Sequence, residues 1–395
     1  MGLEKLEGQQ RAKLEGRATI NVFKVDNTTF KNLGELQQLD SLIWRDSYRG
    51  LNSFQLFAPI TDENALLIQE DHILWIGGEV AAVIESIKSI MDKDGIKSYQ
   101  VKGRTLEKYL EKRIIWGTYI KNDYPSNIMR DLVNINCINP TDSKRKIPWL
   151  ILKPNQEVYG TKTQYQQTGG SVYNALMEVS ELDELGFNIN FFPKEQRIEF
   201  EVTKGIDRTR NNGVVKPVEF STQLDDILQS IYFVNSTDTV NMALVAGEEN
   251  ENTPRVQVTT GDLTSTGFNR LELYVDARDL QSTYFVGGNQ QNIPAAEYQS
   301  MLKTRGNQKI GERAKIENFE ATIRVFGQVQ YEFGVDYEKG DLITMVDDNL
   351  MVSISARITQ IEEGFGGRAN YSLLLTFGYS MPTAAQQINK IIKQS

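Results

Sequence analysis

The chain has 395 residues, of which 40% are hydrophobic and 24% charged, with a formal net charge of -9. The length suggests about two to four domains, and the composition is that of a soluble globular protein. The acidic balance excludes a dedicated nucleic-acid binder, which needs clustered Lys and Arg against the phosphates, and a lone cysteine, Cys137, excludes an intrachain disulfide and a cysteine-built zinc site.

The first 17 residues, MGLEKLEGQQRAKLEGR, are charged and hold three glycines, so residues 1–17 are expected to be a flexible arm. They lack the apolar run of a signal peptide, which implies production and use without Sec export. No later stretch reaches the roughly 18 apolar residues of a membrane span.

From residue 18 the pattern is that of strands. In SFQLFAPI, Phe54, Leu56, Ala58 and Ile60 alternate against Ser53 and Gln55, the period-2 signature of a strand with one wet face. ATINVFKV, HILWIGG, EVAAVIESIKSI and KSYQVKGR read the same way, and Asp94-Gly95 marks a hairpin turn. Residues 18–104 are expected to form a first antiparallel β unit.

Residues 105–212 change character. Thr105 caps a predicted helix over TLEKYLEKRIIW, with Leu106, Tyr109, Leu110 and Arg113 at helical spacing. Pro125 opens a second helix and Ser171 precedes a third, striped by Val172, Leu176 and Val179 and stopped by Gly186. FNINFF and RIEFEV read as strands, so this segment is α+β. Between the second and third helices lies a basic loop, NPTDSKRKIPW at 139–149; a solvated loop is expected there, with contact to an anion as the alternative.

A second β section occupies 213–250 and 315–380, with a mixed insertion at 251–314. A short helix capped by Ser221 is predicted from Leu224, Ile227, Leu228 and Ile231. Pro294 starts another helix. Ala321, Ile323, Val325, Val329, Tyr331, Phe333 and Val335 share one face of a predicted strand, followed by LMVSISARI and YSLLLTFGY, joined by the glycine-rich EGFGGR. Residues 381–395 close the chain as a predicted helix.

Catalytic patterns are sparse. His72 is the single histidine, so Ser-His-Asp or Cys-His chemistry would rest on it alone, and a structural role is expected. Cys137 lies in apolar LVNINCI and reads as a core thiol. Asp225-Asp226, Asp347-Asp348 and Glu362-Glu363 are expected in turns or exposed helix rather than as a glycosidase pair. Neither WIGGEVAAVIESI nor GFGGR has the spacing of a phosphate loop. No catalytic, cofactor-binding or metal-binding residue is assigned. Trp44, Trp75 and Trp116 are candidates for subunit contacts, with core packing as the commoner role.

The order of several segments resembles the siphophage tail-hub family, the baseplate-hub or tail-tip proteins of phages. They are LDSLIWRDSYRGLNSFQLFAPI, VKGRTLEKYLEKRII, TGGSVYNALMEV, GIDRT, VEFSTQLDDIL, VNMALVAGE, LELYVDARD, GVDYEKGDLITM and SLLLTFGY, spanning about 39–380. None is a catalytic signature. Gly103 and Gly205 read as strand-end glycines, Arg104 and Arg208 as ion-pair anchors, and Asp276 as a neighbour of Arg278.

The resemblance implies an α+β, multidomain fold: two β-barrel-like hub domains with inserted α+β domains. It implies a homotrimer whose ring caps the tail tube of the virion, meets a distal-tail or tail-tube protein ring and the tape-measure protein, and gates the DNA channel. Receptor-binding or lytic tail proteins are further implied partners, and assembly would take place in the host bacterial cytoplasm. Relatives often continue into a hydrolase or adhesion extension; this chain stops at Ser395, which makes a non-enzymatic, cofactor-free role the expectation. A tail-associated cell-wall hydrolase or a host-receptor-binding module are the alternatives.

Overall fold

The computed structural model describes residues 19–378 apart from 37, 211, 225, 250–253, 287–288, 325–329, 348–350 and 367–370. The predicted arm at 1–17 and the predicted helix at 381–395 lie outside the described residues.

The first β section comprises β1 (Asn21–Val25), β2 (Phe30–Glu35), β3 (Ser41–Ser47), β4 (Ser53–Pro59), β5 (Ile73–Trp75), β6 (Ala81–Met91) and β7 (Lys97–Thr105), with helix α1 (Asp62–Leu67) between β4 and β5. On β4 every second side chain, Phe54, Leu56 and Ala58, is buried, as the period-2 pattern requires. β6 starts with four buried residues in a row, because Ala82 and Ile84 enter one core and Ala81 and Val83 another.

Next come α2 (Lys108–Glu111), β8 (Thr118–Asp123), α3 (Pro125–Val133), β9 (Leu150–Leu152), β10 (Thr163–Thr168), α4 (Val172–Leu182), β11 (Gly186–Phe192) and β12 (Arg197–Thr203). The second helix starts at Pro125 as predicted, and the Ser171 side chain accepts the Asn174 N–H to cap the third. The predicted helix over 105–116 is reduced to α2. Backbone pairing to the start of α4 takes over: Ile115 N–H donates to Gly170 O, and Val172 N–H to Arg113 O. These helices and strands bury Ile128, Leu176, Phe187 and Phe200 in a core shared with Phe23 and Ile73 of the first section.

The remaining strands are β13 (Glu219–Ser221), β14 (Ile227–Asn235), β15 (Met242–Ala246), β16 (Gln257–Gly261), β17 (Glu272–Asp276), β18 (Thr283–Val286), β19 (Asn289–Asn292), β20 (Ile316–Ile323), β21 (Leu342–Asp347), β22 (Val352–Gly366) and β23 (Tyr371–Gly378), with helix α5 (Ala295–Gly311) before β20. The helix predicted after Ser221 is absent, and ILQSIYFVN is strand β14, antiparallel to β20. Its β-branched and aromatic residues, supplied with a long-range partner strand, override the helical spacing. The single face predicted from Ala321 to Val335 also breaks. Ala321 and Ile323 are buried on β20, residues 325–329 lie outside the described residues, and Val335 is exposed in a turn over 332–336.

One large sheet unites both β sections, in the order β14-β20-β23-β22-β3-β4-β7-β6-β5-β1-β2, with β21 also on β22 and β13 on β21. The joint is β22 against β3, antiparallel from Gln360 opposite Ser47 to Gly366 opposite Ser41. Trp44 and Phe54 from one section therefore share a core with Phe319, Leu375 and Phe377 from the other. Neither section closes into a barrel among the described residues, because the strand path stays open at β14 and β2. A smaller unit packs α5 on the sheet β16-β15-β17 through Tyr298, Met301 and Leu302.

Candidate functional site

Three parts of the chain converge on Tyr48, which follows β3. Its backbone N–H donates to Thr359 O of β22 at 2.8 Å. Its ring is buried, and its hydroxyl proton is offered to the carbonyls of Glu184 (3.0 Å) and Thr203 (3.1 Å). The same oxygen accepts the N–H of Gly205 at 3.2 Å. Burial pushes the phenol above its usual pKa.

Glycines make this convergence possible. A Cβ on Gly186 or Gly340 would lie 2.4 Å from the Tyr48 ring, and one on Gly205 would lie 1.6 Å from Gly340 O. Gly340 also has a φ of 93°, the left-handed region open to glycine. Gly205 is thus a point of backbone contact just beyond β12. Gly103, inside β7, is another: a Cβ there would lie 1.8 Å from Val83 O.

Ion pairs surround the tyrosine. Arg208 Nε donates to Asp341 Oδ2 at 2.6 Å, while Asp341 Oδ1 accepts the Ile206 N–H at 2.8 Å. Lys339 Nζ bridges Asp46 Oδ1 (2.5 Å) and Asn188 Oδ1 (2.9 Å). Arg357 pairs with Glu184 at 2.8 Å, which holds that carboxyl below its ordinary pKa, and its guanidinium lies 5.5 Å from the Tyr48 ring centre. A cleft of about 550 Å³ opens beside them, lined by Arg49, Glu181, Lys315 and Arg357 among others. These charges tie backbone segments together across the junction; they are arranged as braces.

The other residues singled out in the sequence fall into place. Arg104 grips Glu85 through two nitrogens, at 2.7 and 2.9 Å, and reaches Glu111 at 3.0 Å. Asp276 pairs with Arg278 at 2.7 Å and also with Arg255 at 2.6 Å. His72 Nδ1 donates to Leu67 O at 2.8 Å, and Cys137 is buried with its thiol pushed up to about 12 by burial. Trp44 is a core residue stacked on Phe54, Trp75 is half-buried and donates to Gly78 O, and Trp116 is exposed beneath the Arg145 guanidinium.

The expected exposure of the paired acids is corrected. Asp226, Asp347 and Glu363 are buried. Asp347 accepts from Ser230 Oγ at 2.6 Å and Glu363 from Tyr371 Oη at 2.8 Å, so strand pairing supplies donors that the sequence pattern did not reveal. Asp225 and Asp348 lie outside the described residues. Among the described residues no group of three or more His, Cys, Asp or Glu is placed to hold a metal ion, and no helix is long and apolar enough to cross a membrane.

Sequence reasoning missed Tyr48 and Gly340 and read Gly186 only as a helix stop, since nothing in RDSYRG or YEKGDL marks a contact across about 290 residues of chain. No curated protein sequence matches the chain. Its fold is similar to that of the 43 kDa tail protein of prophage MuSo2 from Shewanella oneidensis, with a TM-score of 0.55 and 11% identity over 91% of this chain and 98% of that one. It is also similar to the tail protein from Neisseria meningitidis MC58, at 0.53 and 12% over 92% and 96% of the two chains. The prophage tail protein gp18 from Listeria monocytogenes gives 0.52 and 10% over 95% and 99%. Residues 19–379, nearly the whole chain, match the family model of the Siphovirus ReqiPepy6 Gp37-like proteins, and the protein belongs to this siphovirus family.

Proposed function

We propose that the protein is a non-enzymatic hub of the phage tail tip. Three copies form a ring that caps the tail tube, meets the distal-tail or tube ring, holds the tape-measure terminus and gates the passage of DNA. Receptor-binding or lytic tail proteins attach around it, and the ring assembles in the bacterial cytoplasm before entering the virion. The net charge of -9 suits a passage through which DNA must slide without sticking.

One observation carries this reading. The two β sections form a single sheet that ends in an open edge, β14, whose one strand neighbour among the described residues is β20. That edge exposes Leu228, Ile231 and Val234. An open apolar edge is an aggregation hazard unless a neighbour covers it, and a head-to-tail contact that closes on itself makes a ring.

Light scattering on the purified chain, well above micromolar concentration, is the test. The expected mass is three times that of the chain; a monomer throughout contradicts a self-assembling hub. A zymogram on host cell walls is expected to show no clearing, whereas a cleared zone would make the protein a hydrolase.

A further inference from the structure

The basic loop noted in the sequence borders a second cavity, of about 620 Å³, set between the β1–β2 turn and the α+β segment. Arg113, Lys144 and Lys146 line it, over a floor that includes Tyr109, Pro148 and Trp149. Lys144 and Lys146 are exposed. Arg113 donates Nε to Arg145 O at 2.8 Å, so its charge is held by a neutral carbonyl. Arg145 lies with its guanidinium 4.2 Å from the Trp116 ring centre. None of these four cations has an ion pair with a described carboxylate, unlike Arg104, Arg208 and Arg357.

Two acids lie near, Asp26 in the lining itself and Asp142 at the start of the loop turn. Asp26 Oδ1 accepts the N–H groups of Thr28 and Thr29, and Asp142 Oδ1 accepts the Lys144 N–H. In an otherwise acidic chain, three cations thus stand against one lining carboxylate, Asp26, in one pocket. The loop is also held in place. Trp149 Nε1 donates to Asp26 O at 2.9 Å, and its ring meets Phe30 edge-on at 5.7 Å. A pre-ordered site loses less entropy on binding.

We propose that this pocket binds an acidic peptide segment of a partner protein, its carboxylates on Lys144, Lys146 and Arg113 and an apolar side chain on the Tyr109–Trp149 floor. A mostly apolar cavity with a few placed charges suits such a segment. A long nucleic-acid strand would leave the small basic patch and meet the net negative charge of the rest of the chain. The inference does not depend on the hub reading, since each chain carries the whole pocket.

The test uses the full chain and a fluorescent octapeptide of alternating glutamate and leucine, read by anisotropy. A glutamine-leucine octapeptide and a short single-stranded DNA serve as comparisons. The expected result is saturable binding of the acidic peptide alone, weakened about tenfold or more when salt rises from about 50 to about 500 mM. The double variant Lys144→Glu, Lys146→Glu is expected to lose at least as much while keeping the parent's melting temperature, because both side chains are exposed. Unchanged binding in a folded double variant, equal binding of the glutamine peptide, or tighter binding of the DNA would each overturn the proposal.

Discussion

The hydroxyl of Tyr48 lies 3.2 Å from the amide nitrogen of Gly205 and accepts its hydrogen. This bond joins the end of β3 to the segment leaving β12, and Gly340 packs on the same ring from the approach to β21. Removing the hydroxyl leaves a part-buried N–H and two carbonyls without that partner. Tyr48→Phe is therefore expected to cost about 1–3 kcal/mol. Urea unfolding checks it, and a cost near zero would mean that water replaces the phenol.

Gly340→Ala tests the same junction from the other side. A methyl there would sit 2.4 Å from the Tyr48 ring on a backbone with a φ of 93°. Overpacking and strain together predict a loss of about 2–4 kcal/mol. The double variant Gly340→Ala, Tyr48→Phe should be non-additive, since both act on one contact.

Glu107 gives a pH dependence. It is fully buried, its Oε1 accepts the Ile189 N–H at 2.7 Å, and burial raises its pKa. Its folded value thus lies above the unfolded value of about 4.3. The stability it contributes is fully present below that unfolded value and is lost as pH rises through the folded one. In thermal melts, Glu107→Gln minus parent should grow more positive as pH rises from about 4. A difference that is flat with pH would show that the carboxyl is not desolvated.

Arg104 should not be replaceable by lysine. Its two-pronged grip on Glu85 and its third contact to Glu111 need the guanidinium plane. The group is about a third exposed, so screening limits the effect. Arg104→Lys is expected to cost about 1 kcal/mol, less in high salt. Denaturant melts at two ionic strengths measure both.

The strand periodicity of β4, the starts of α3 and α4 and the ends of β11 and β12 were legible because local chemistry sets them. Pro125 opens one helix and Ser171 caps another. Segments decided by distant partners were not legible. ILQSIYFVN carries helical spacing and becomes a strand only because β20 lies beside it. Asp347 and Glu363 look like surface acids until Ser230 and Tyr371 arrive from other strands. The joint between β3 and β22, on which the single sheet depends, pairs residues more than 300 positions apart and has no local signature. The basic loop was visible in sequence, but the pocket it borders depends on the β1–β2 turn packed against it.

The open edge offers a variant that separates folding from assembly. Leu228→Lys with Ile231→Lys places two charges on exposed positions of β14. Melting temperature of the monomeric unit should change little, whereas the trimer should be lost. Light scattering reads the second effect and calorimetry the first; a trimer that survives would move the ring contact away from β14.

A ring at the tail tip should be visible by electron cryo-microscopy of the assembled particle. The expected density is three copies of this fold around the tube axis at the distal end, with β14 of each copy covered by its neighbour. Finding the fold as single copies, or at a position away from the end of the tube, would contradict it.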